Sequence, residues 1–211
     1  MSLNSKFEKT YPAIALLEIN NLADGITAAD AMVKKAPIAM LKSGTVSQGK
    51  YLVLIGGTTA SVTEAFKEGL TAGGESVLDD LILPDVHPQV HDAILGARQP
   101  VDSDALGIVE TRTVAAIIQA ADAGIKGANV NIVEMRLADG YAGKGFTLFT
   151  GKVEDVQAAV EIGITAIKDR NVPVSQRIIP ALHSEIAKEI ATSLRFSKSK
   201  KLQLKDGEVA D

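Results

Sequence analysis

The sequence predicts an α+β protein built from two copies of one β-α-β-β-α-β unit, each with its helices on one face of a mostly antiparallel sheet. The first observation is a repeat: Ala28–Lys34 (AADAMVK) returns 92 residues later as Ala120–Lys126 (AADAGIK). The second is that this offset grows only slightly along the chain, to 94 between Gly57 and Gly151. A nearly constant offset with small insertions is the pattern of a tandem duplication.

Composition narrows the possible functions. The chain has 211 residues, of which 46% are hydrophobic, with a formal net charge of −4 and no cysteine. The charge gives no basic footprint for nucleic acid and no polybasic membrane patch. Without cysteine there is no disulfide, thiolate zinc site or cysteine-ligated iron–sulfur cluster. No apolar run approaches the roughly 20 residues of a membrane span, and residues 1–12 lack a signal-peptide core, so we expect a cytoplasmic protein.

The first copy begins with an apolar run of strand length, Ala13–Ile19. Asn21 is a suitable N-cap for a helix that Pro37 ends. After it we expect a short extended segment at 40–42, a polar turn at 43–49 and a strand at 51–55. A second helix with apolar residues from Val62 to Gly73 and a last strand, Val77–Leu83, complete the unit.

The second copy repeats this order. A strand is predicted at Leu106–Thr111, and Thr113 stands at the N-cap position of the following helix. The next segments are an extended stretch at 131–136, a turn at 137–144, a strand at 146–150, a helix around 156–167 and a strand at 174–179.

These elements divide the chain into an N-terminal arm (1–12), a first domain (13–90), a linker (91–104), a second domain (105–195) and a C-terminal tail (196–211) that we expect to be mobile.

Three kinds of residue are candidates for chemistry. Among the three histidines, His183 repeats His87, which favours a structural role in each copy over a metal site. The glycine-rich stretch at 139–145 lacks the Ser or Thr that a Walker loop needs after Gly-Lys, which favours turn chemistry. The repeated carboxylates, Glu18 with Glu110 and Asp30 with Asp122, are predicted to be solvated or helix-capping, because none has a partner for acid–base work. No catalytic or metal-binding residue is predicted.

Several of the repeated features are shared with a known family. Both copies carry Glu-x₁₁-Asp-Ala-x-x-Lys, a polar turn containing glycine before a strand, and a terminal Pro-x-x-His, at Pro84–His87 and Pro180–His183. In order and spacing these motifs resemble the bacterial microcompartment shell domain, in tandem, over about 13–90 and 105–185. The unpermuted order is similar to the trimeric class that includes the shell trimer of propanediol-utilisation compartments.

The resemblance implies two ferredoxin-like domains per chain and a structural protein that is not an enzyme. In that class three chains form a pseudohexameric homotrimer that tiles with other shell proteins, hexamers and pentamers, around cargo enzymes. The turn before each third strand lines a central pore for small polar metabolites. Carried onto this chain, the pore-lining residues are Ser47, Gln48, Gly49, Tyr141, Ala142 and Gly143, and the tile-edge lysines are Lys34 and Lys126.

Two departures from the family pattern matter. Some propanediol-type trimers hold an iron–sulfur cluster through a pore cysteine; the matching position here is Ser47, so we predict no cofactor. The family also often has an edge-docking arginine after the terminal proline, where this chain has Asp85 and Ala181.

The predicted function is therefore a shell protein with a central pore, placed in a microcompartment shell in the cytoplasm. The alternative is a small-molecule-binding regulator or an enzyme on a duplicated ferredoxin-like fold, which would hold its ligand between the copies.

Overall fold

The computed structural model describes residues 12–101 and 105–199, and it confirms the predicted α+β duplication. The predicted arm at 1–12 and tail at 196–211 lie largely outside these residues. The first copy contains β1 (Ala13–Ile19), α1 (Leu22–Lys35), β2 (Met40–Thr45), β3 (Tyr51–Gly57), α2 (Thr59–Gly73) and β4 (Val77–Leu83). A short helix, α3 (Pro88–Ile94), follows. The second copy contains β5 (Ala105–Thr111), α4 (Val114–Gly127), β6 (Asn131–Leu137), β7 (Gly145–Gly151), α5 (Val153–Ala166) and β8 (Val174–Ile179), followed by α6 (Ser184–Thr192).

Each copy forms one four-stranded sheet in which every pair of neighbouring strands is antiparallel. The strand order is β2-β3-β1-β4 in the first and β6-β7-β5-β8 in the second. This is the order expected of a ferredoxin-like β-α-β-β-α-β unit. The first strand of each unit lies between two others, and β1 is buried along its whole length because both faces of its sheet are covered.

Helix starts follow the predicted capping chemistry in the first copy only. Asn21 caps α1, because its side-chain oxygen accepts a hydrogen bond from the Asp24 amide at 2.9 Å. The prediction that Thr113 caps α4 in the same way is wrong for its side chain, which makes no capping hydrogen bond. The Thr113 hydroxyl donates instead to Asp79, on β4 of the first copy.

Three further elements differ from the prediction. The polar turn expected at 43–49 is strand up to Thr45, because residues 40–45 pair in unbroken register with β3. Only Ser47–Gly49 forms a turn, of the 3-10 type. Helices α3 and α6 were not predicted, since they have only 7 and 9 residues and show too few turns for a clear helical period; α3 runs across the predicted domain limit at residue 90.

The two faces of the first sheet are buried against different partners. Its inner face packs on α1 and α2, where Leu17, Met32 and Phe66 belong to one core. Its outer face carries Leu16 and Leu54, which share a core with α3 and with α4 of the second copy. Helix α4 therefore packs on two sheets, its own and that of the first copy.

Candidate functional site

The two turns predicted to line a pore lie against each other in the chain. The Gly140 amide donates a hydrogen bond to Ser47 Oγ at 2.9 Å. The Lys50 ammonium donates to the carbonyl oxygen of Gly143 at 3.2 Å. Gln48 also lies against Gly143, since a Cβ placed there would come within 2.6 Å of Gln48 Oε1. The structure thus brings together segments that are more than 90 residues apart in sequence.

The backbone of both turns is in the left-handed region at several positions. In the first turn Gln48 has φ 67° and Gly49 has φ 71°. In the second turn φ is also positive at Ala138, Gly140, Ala142 and Gly143. Left-handed conformations are uncommon for residues other than glycine and concentrate at functional segments. Three of these six residues with positive φ are not glycine, so the turns hold an uncommon backbone conformation at half of these positions.

The predicted pore residues differ in exposure. Gln48, Gly49 and Ala142 are exposed, and Ser47 and Tyr141 are partly buried. Gly143 is buried beneath Gln48 and Lys50. The exposed tips therefore offer backbone groups, one side-chain amide and one methyl group, with no charged side chain among them.

Behind the first turn lies a buried ion pair that also joins the two copies. Glu18 is fully buried, and its Oε1 accepts from Lys50 Nζ at 2.6 Å. Its Oε2 accepts from the Val114 amide at 2.8 Å, so a carboxylate of the first copy caps α4 of the second. Burial raises the pKa of Glu18, although Lys50 and the Val114 amide oppose this. Of the two roles predicted for Glu18, solvated or helix-capping, the structure shows the second, and the helix that it caps belongs to the other copy.

Behind the second turn the repeated pair is more open. Glu110 receives hydrogen bonds from Lys144 Nζ at 2.9 Å and from the Tyr141 hydroxyl. Partial burial by itself raises the pKa of Glu110, but these two donors outweigh it and lower the pKa. Arg136 lies over the Tyr141 ring, 5.8 Å from its centroid. Tyr141 thus donates to Oε2 of Glu110, whereas the equivalent Oε2 of Glu18 accepts from the first amide of α4.

Tyr141 should titrate far above the ordinary range of a tyrosine. Burial and the adjacent Glu110 carboxylate raise its pKa to about 12. Because the raised pKa means that the folded state holds this proton more tightly, the resulting stability is present below about pH 10 and is lost as the pH rises through about 12. We expect the difference between the phenolate absorbance titrations of the wild type and Tyr141→Phe to have its midpoint near 12. A midpoint near 10 would show that the contact with Glu110 is not formed.

The two predicted edge lysines repeat in sequence but have different surroundings. Lys34 pairs with Asp30 one helical turn away, and its side chain is 73% exposed. Lys126 pairs with Asp122 and also donates to the carbonyl oxygen of Asp85. Asp122 is buried, so it is not solvated, which was one of its two predicted roles; it accepts at 2.7 Å from the amide of His87, the N-cap residue of α3. In the second copy this lysine–aspartate pair ties α4 to the end of β4.

The remaining candidates are structural. His87 and His183 act as N-caps of α3 and α6, each accepting from an amide two residues ahead. Within residues 12–101 and 105–199, no group of three potential ligands is placed to hold a metal ion. The stretch at 139–145 forms the second turn, with no helix after it.

Sequence reasoning missed an ion pair between the copies. Arg170 contacts Asp79 Oδ1 at 2.5 Å and the Asp80 carbonyl at 2.9 Å, and its Nε donates to Gln119. These residues do not recur at the repeat offset, so the duplication gave no signal for them. The one available signal was that the two copies have different residue types at these positions, which is expected where only one copy forms a contact.

The family model described as BMC domain matches residues 13–86 and 105–182. The chain is 36% identical over 178 residues to the bacterial microcompartment shell protein PduT of Citrobacter freundii, covering 84% of this chain and 97% of that protein. It is also 36% identical over 92 residues to the shell protein PduA of the same organism, covering 42% of this chain and 92% of that protein.

A solved structure shows the same likeness. A microcompartment protein from Desulfitobacterium hafniense DCB superposes with a TM-score of 0.74 at 42% sequence identity, covering 83% of this chain and 98% of that chain. Among the described residues no helix has the length and apolar character to cross a bilayer. Two matched domains, a relative matched over 97% of its length and the shared structure lead to one conclusion: the chain belongs to the BMC-domain family of bacterial microcompartment shell proteins.

Proposed function

We propose that three copies of this chain form a closed ring of six domains around a central pore, and that the ring is a non-catalytic tile of a microcompartment shell. The units of the ring are the domains at 13–90 and 105–195. The single observation that carries the proposal is a face of α1 that is exposed, although the equivalent face of α4 is buried in the junction between the copies.

The junction within the chain is of the head-to-tail type. Helix α4 of the second copy packs on β1 and β4 at the outer face of the first sheet. Val114 and Ile118 are fully buried in this arrangement, and Ile125 is 7% exposed. The same residues do not occur on both sides, so the contact is heterologous, and such contacts form rings when the rotation closes.

The two surfaces that could form a second junction of this kind, one on α1 and one on β8, are exposed in the single chain. At the repeat offset of 92, Val114, Ile118 and Ile125 correspond to Leu22, Ile26 and Val33 on α1, which are 50%, 52% and 46% exposed. The counterpart of β4 is β8, whose residues 175–177 are exposed. Large apolar side chains in one exposed stripe are typical of a surface that binds a protein. In the ring, α1 of one chain packs on β8 of the next.

The polar contacts of the junction have counterparts as well. Glu18 holds the Val114 amide. The repeat pairs Glu110 with the amide of Leu22 of the partner subunit, as a second donor to the oxygen that accepts from the Tyr141 hydroxyl. Lys126 holds the carbonyl of Asp85, and the repeat pairs Lys34 with the carbonyl of Ala181 of the partner subunit. Both junctions of the ring then have a carboxylate at the start of a helix and a lysine near its end, which the helix dipole favours.

The ring brings three copies of each turn to its axis. The two kinds of turn alternate around this axis, one formed by Ser47, Gln48 and Gly49 and the other by Tyr141, Ala142 and Gly143. Lys50 and Lys144 lie behind the turns and are paired with Glu18 and Glu110, so the rim carries no unpaired lysine from these positions. A rim of side-chain amides and backbone groups suits small polar metabolites, because such groups can replace part of their hydration.

The edge of the tile is proposed to use Lys34 and Lys126 toward neighbouring hexamers and pentamers, with cargo enzymes enclosed by the finished shell. We expect the double variant Lys34→Ala/Lys126→Ala to form trimers but no sheets in electron micrographs. Lys34→Ala alone removes a side chain that is 73% exposed in the single chain and should make the sheets smaller. Light scattering then shows whether the trimer survives the loss of the contact with Ala181 of the partner subunit.

Lys67→Ala/Lys152→Ala is the matched control, because it removes two lysines outside the predicted edge and should leave sheets intact. Sheets of normal extent from the Lys34/Lys126 variant would contradict the edge assignment. Sheets lost from both variants would show that total charge, and not the edge, governs tiling.

A further inference from the structure

A cavity of about 590 Å³ lies between the two copies, lined by β2 of the first, β6 of the second and the segment after α6. We infer that this cavity binds a small organic anion, a molecule with an apolar body and one carboxylate or phosphate group. The cavity is contained within one chain, so the inference does not depend on the ring. Volumes of 300 to 1,000 Å³ are usual for small-molecule sites.

The floor of the cavity is apolar. Leu16, Leu52 and Leu54 of the first sheet line it from one side, and Ile94 and Met135 line it from the other. Such a surface favours the uncharged part of a ligand, because burying apolar area removes it from water.

The rim of the cavity is cationic in a chain that is acidic overall. Five basic residues line it, against the two acidic residues Glu134 and Asp139, whereas the whole chain has a net charge of −4. The basic residues are Lys42, Arg98, Arg136, Arg195 and Lys198. A concentration of one sign of charge in a concave site raises the local concentration of the opposite ion.

Two of the arginines are held in place by one buried carboxylate. Glu134 lies 2.7 Å from Arg98 and 2.9 Å from Arg136, and its own side chain is 7% exposed. Arg98 also donates to the Ile190 carbonyl, and Arg136 lies over the Phe146 ring at 4.9 Å. One carboxylate between two guanidinium groups leaves an excess positive charge. Each guanidinium has five N–H donors in a fixed plane, which suits carboxylate and phosphate.

The domain fold does not require the acidic and basic residues that β6 contributes to the cavity. The sheet register places Glu134 and Arg136 opposite Leu148 and Phe146, and places Lys42 and Gly44 opposite Leu54 and Leu52 in the first copy. The first copy therefore forms the same strand with a lysine and a glycine at the equivalent positions. The cationic rim is a feature of this one junction.

The test measures calorimetric binding of three probes to the full-length protein: phenyl phosphate, phenylacetate and the neutral benzyl alcohol. We expect at least one anion to bind more tightly than the alcohol, and the tighter one identifies the head group. In Lys42→Gln/Arg195→Gln that anion should bind at least about tenfold more weakly, because charge-assisted hydrogen bonds are lost. In Lys67→Gln/Lys152→Gln, which removes the same charge elsewhere, binding should not change.

The methionine methyl signals give the location independently of any variant. Met135 lines the cavity, whereas Met32 lies in the core between α1 and the first sheet. With methyl-labelled methionine, the preferred anion should shift the Met135 signal in the NMR spectrum and leave the Met32 signal in place. Three outcomes overturn the inference: equal binding of alcohol and anions, equal weakening in both variants, or an unmoved Met135 signal at saturation.

Discussion

Ile26→Asp is expected to turn a trimer of about 66 kDa into a folded monomer of 22.1 kDa. Ile26 is 52% exposed in the single chain, so the substitution removes little from its core. In the proposed ring this residue packs on the next chain, and a carboxylate placed there without a partner costs several kcal/mol at each of three junctions. Light scattering coupled to size exclusion gives the mass, and circular dichroism shows whether the monomer is folded.

The repeat supplies the control. Ile118→Asp introduces the same carboxylate at the equivalent position of α4, which is fully buried within the chain. Here the cost of about 4 kcal/mol or more falls on the chain itself, against a total stability of about 5–15 kcal/mol. We expect an unfolded or aggregated product. If Ile26→Asp kept the mass of the wild type, α1 would not be part of a junction.

Glu18→Ala is expected to lower the free energy of unfolding by about 3–5 kcal/mol, because it leaves a charge without its partner in a buried site. The Lys50 side chain is only 12% exposed and would lose its carboxylate. The Val114 amide would lose its acceptor at the same time. Urea denaturation followed by circular dichroism measures the change, and Ile26→Asp provides a monomeric background in which to measure it.

Glu110→Ala is the matched variant for Glu18→Ala. In the single chain Glu110 is 23% exposed and its partner Lys144 is 37% exposed, so the loss should be only about 1–2 kcal/mol in the monomeric background, mainly from the hydrogen bond of the Tyr141 hydroxyl. In the wild-type background the same change should shift the equilibrium from trimer to monomer, because Glu110 then loses the helix start of the partner subunit. Equal destabilisation by both variants in the monomer would contradict the difference in burial between the two pairs.

Much of the fold could be predicted from periodicity, because the repeat provided each element twice. Ala13–Ile19, Val77–Leu83 and Val174–Ile179 have the predicted limits, and Asn21 caps α1 as its residue type indicates. The strand character of residues 43–45 was hidden, because the polar side chains of an exposed edge strand look like those of a turn. Short helices such as α3 depend on packing between copies, which local sequence does not encode.

For the candidate site, the family motif predicted which residues to consider but not their environments. The motif pointed to both turns and both lysines, whose pore and edge roles stay predictions, and the structure places the turns in contact. The different environments of equivalent residues could not be predicted. Glu18 and Glu110 share a motif, yet one is buried by α4 of its own chain and the other is open. That difference arises from tertiary packing between copies, and a repeat in sequence does not show which copy covers which.

The solution mass of the wild-type protein tests the central claim most directly. Exposed α1 and exposed β8 on one chain predict a closed ring, and three chains of 22.1 kDa give about 66 kDa by light scattering coupled to size exclusion. A uniform monomer of 22.1 kDa across the accessible concentration range would contradict the ring, because no axis would then bring the turns at 47–49 and 141–143 of three chains together.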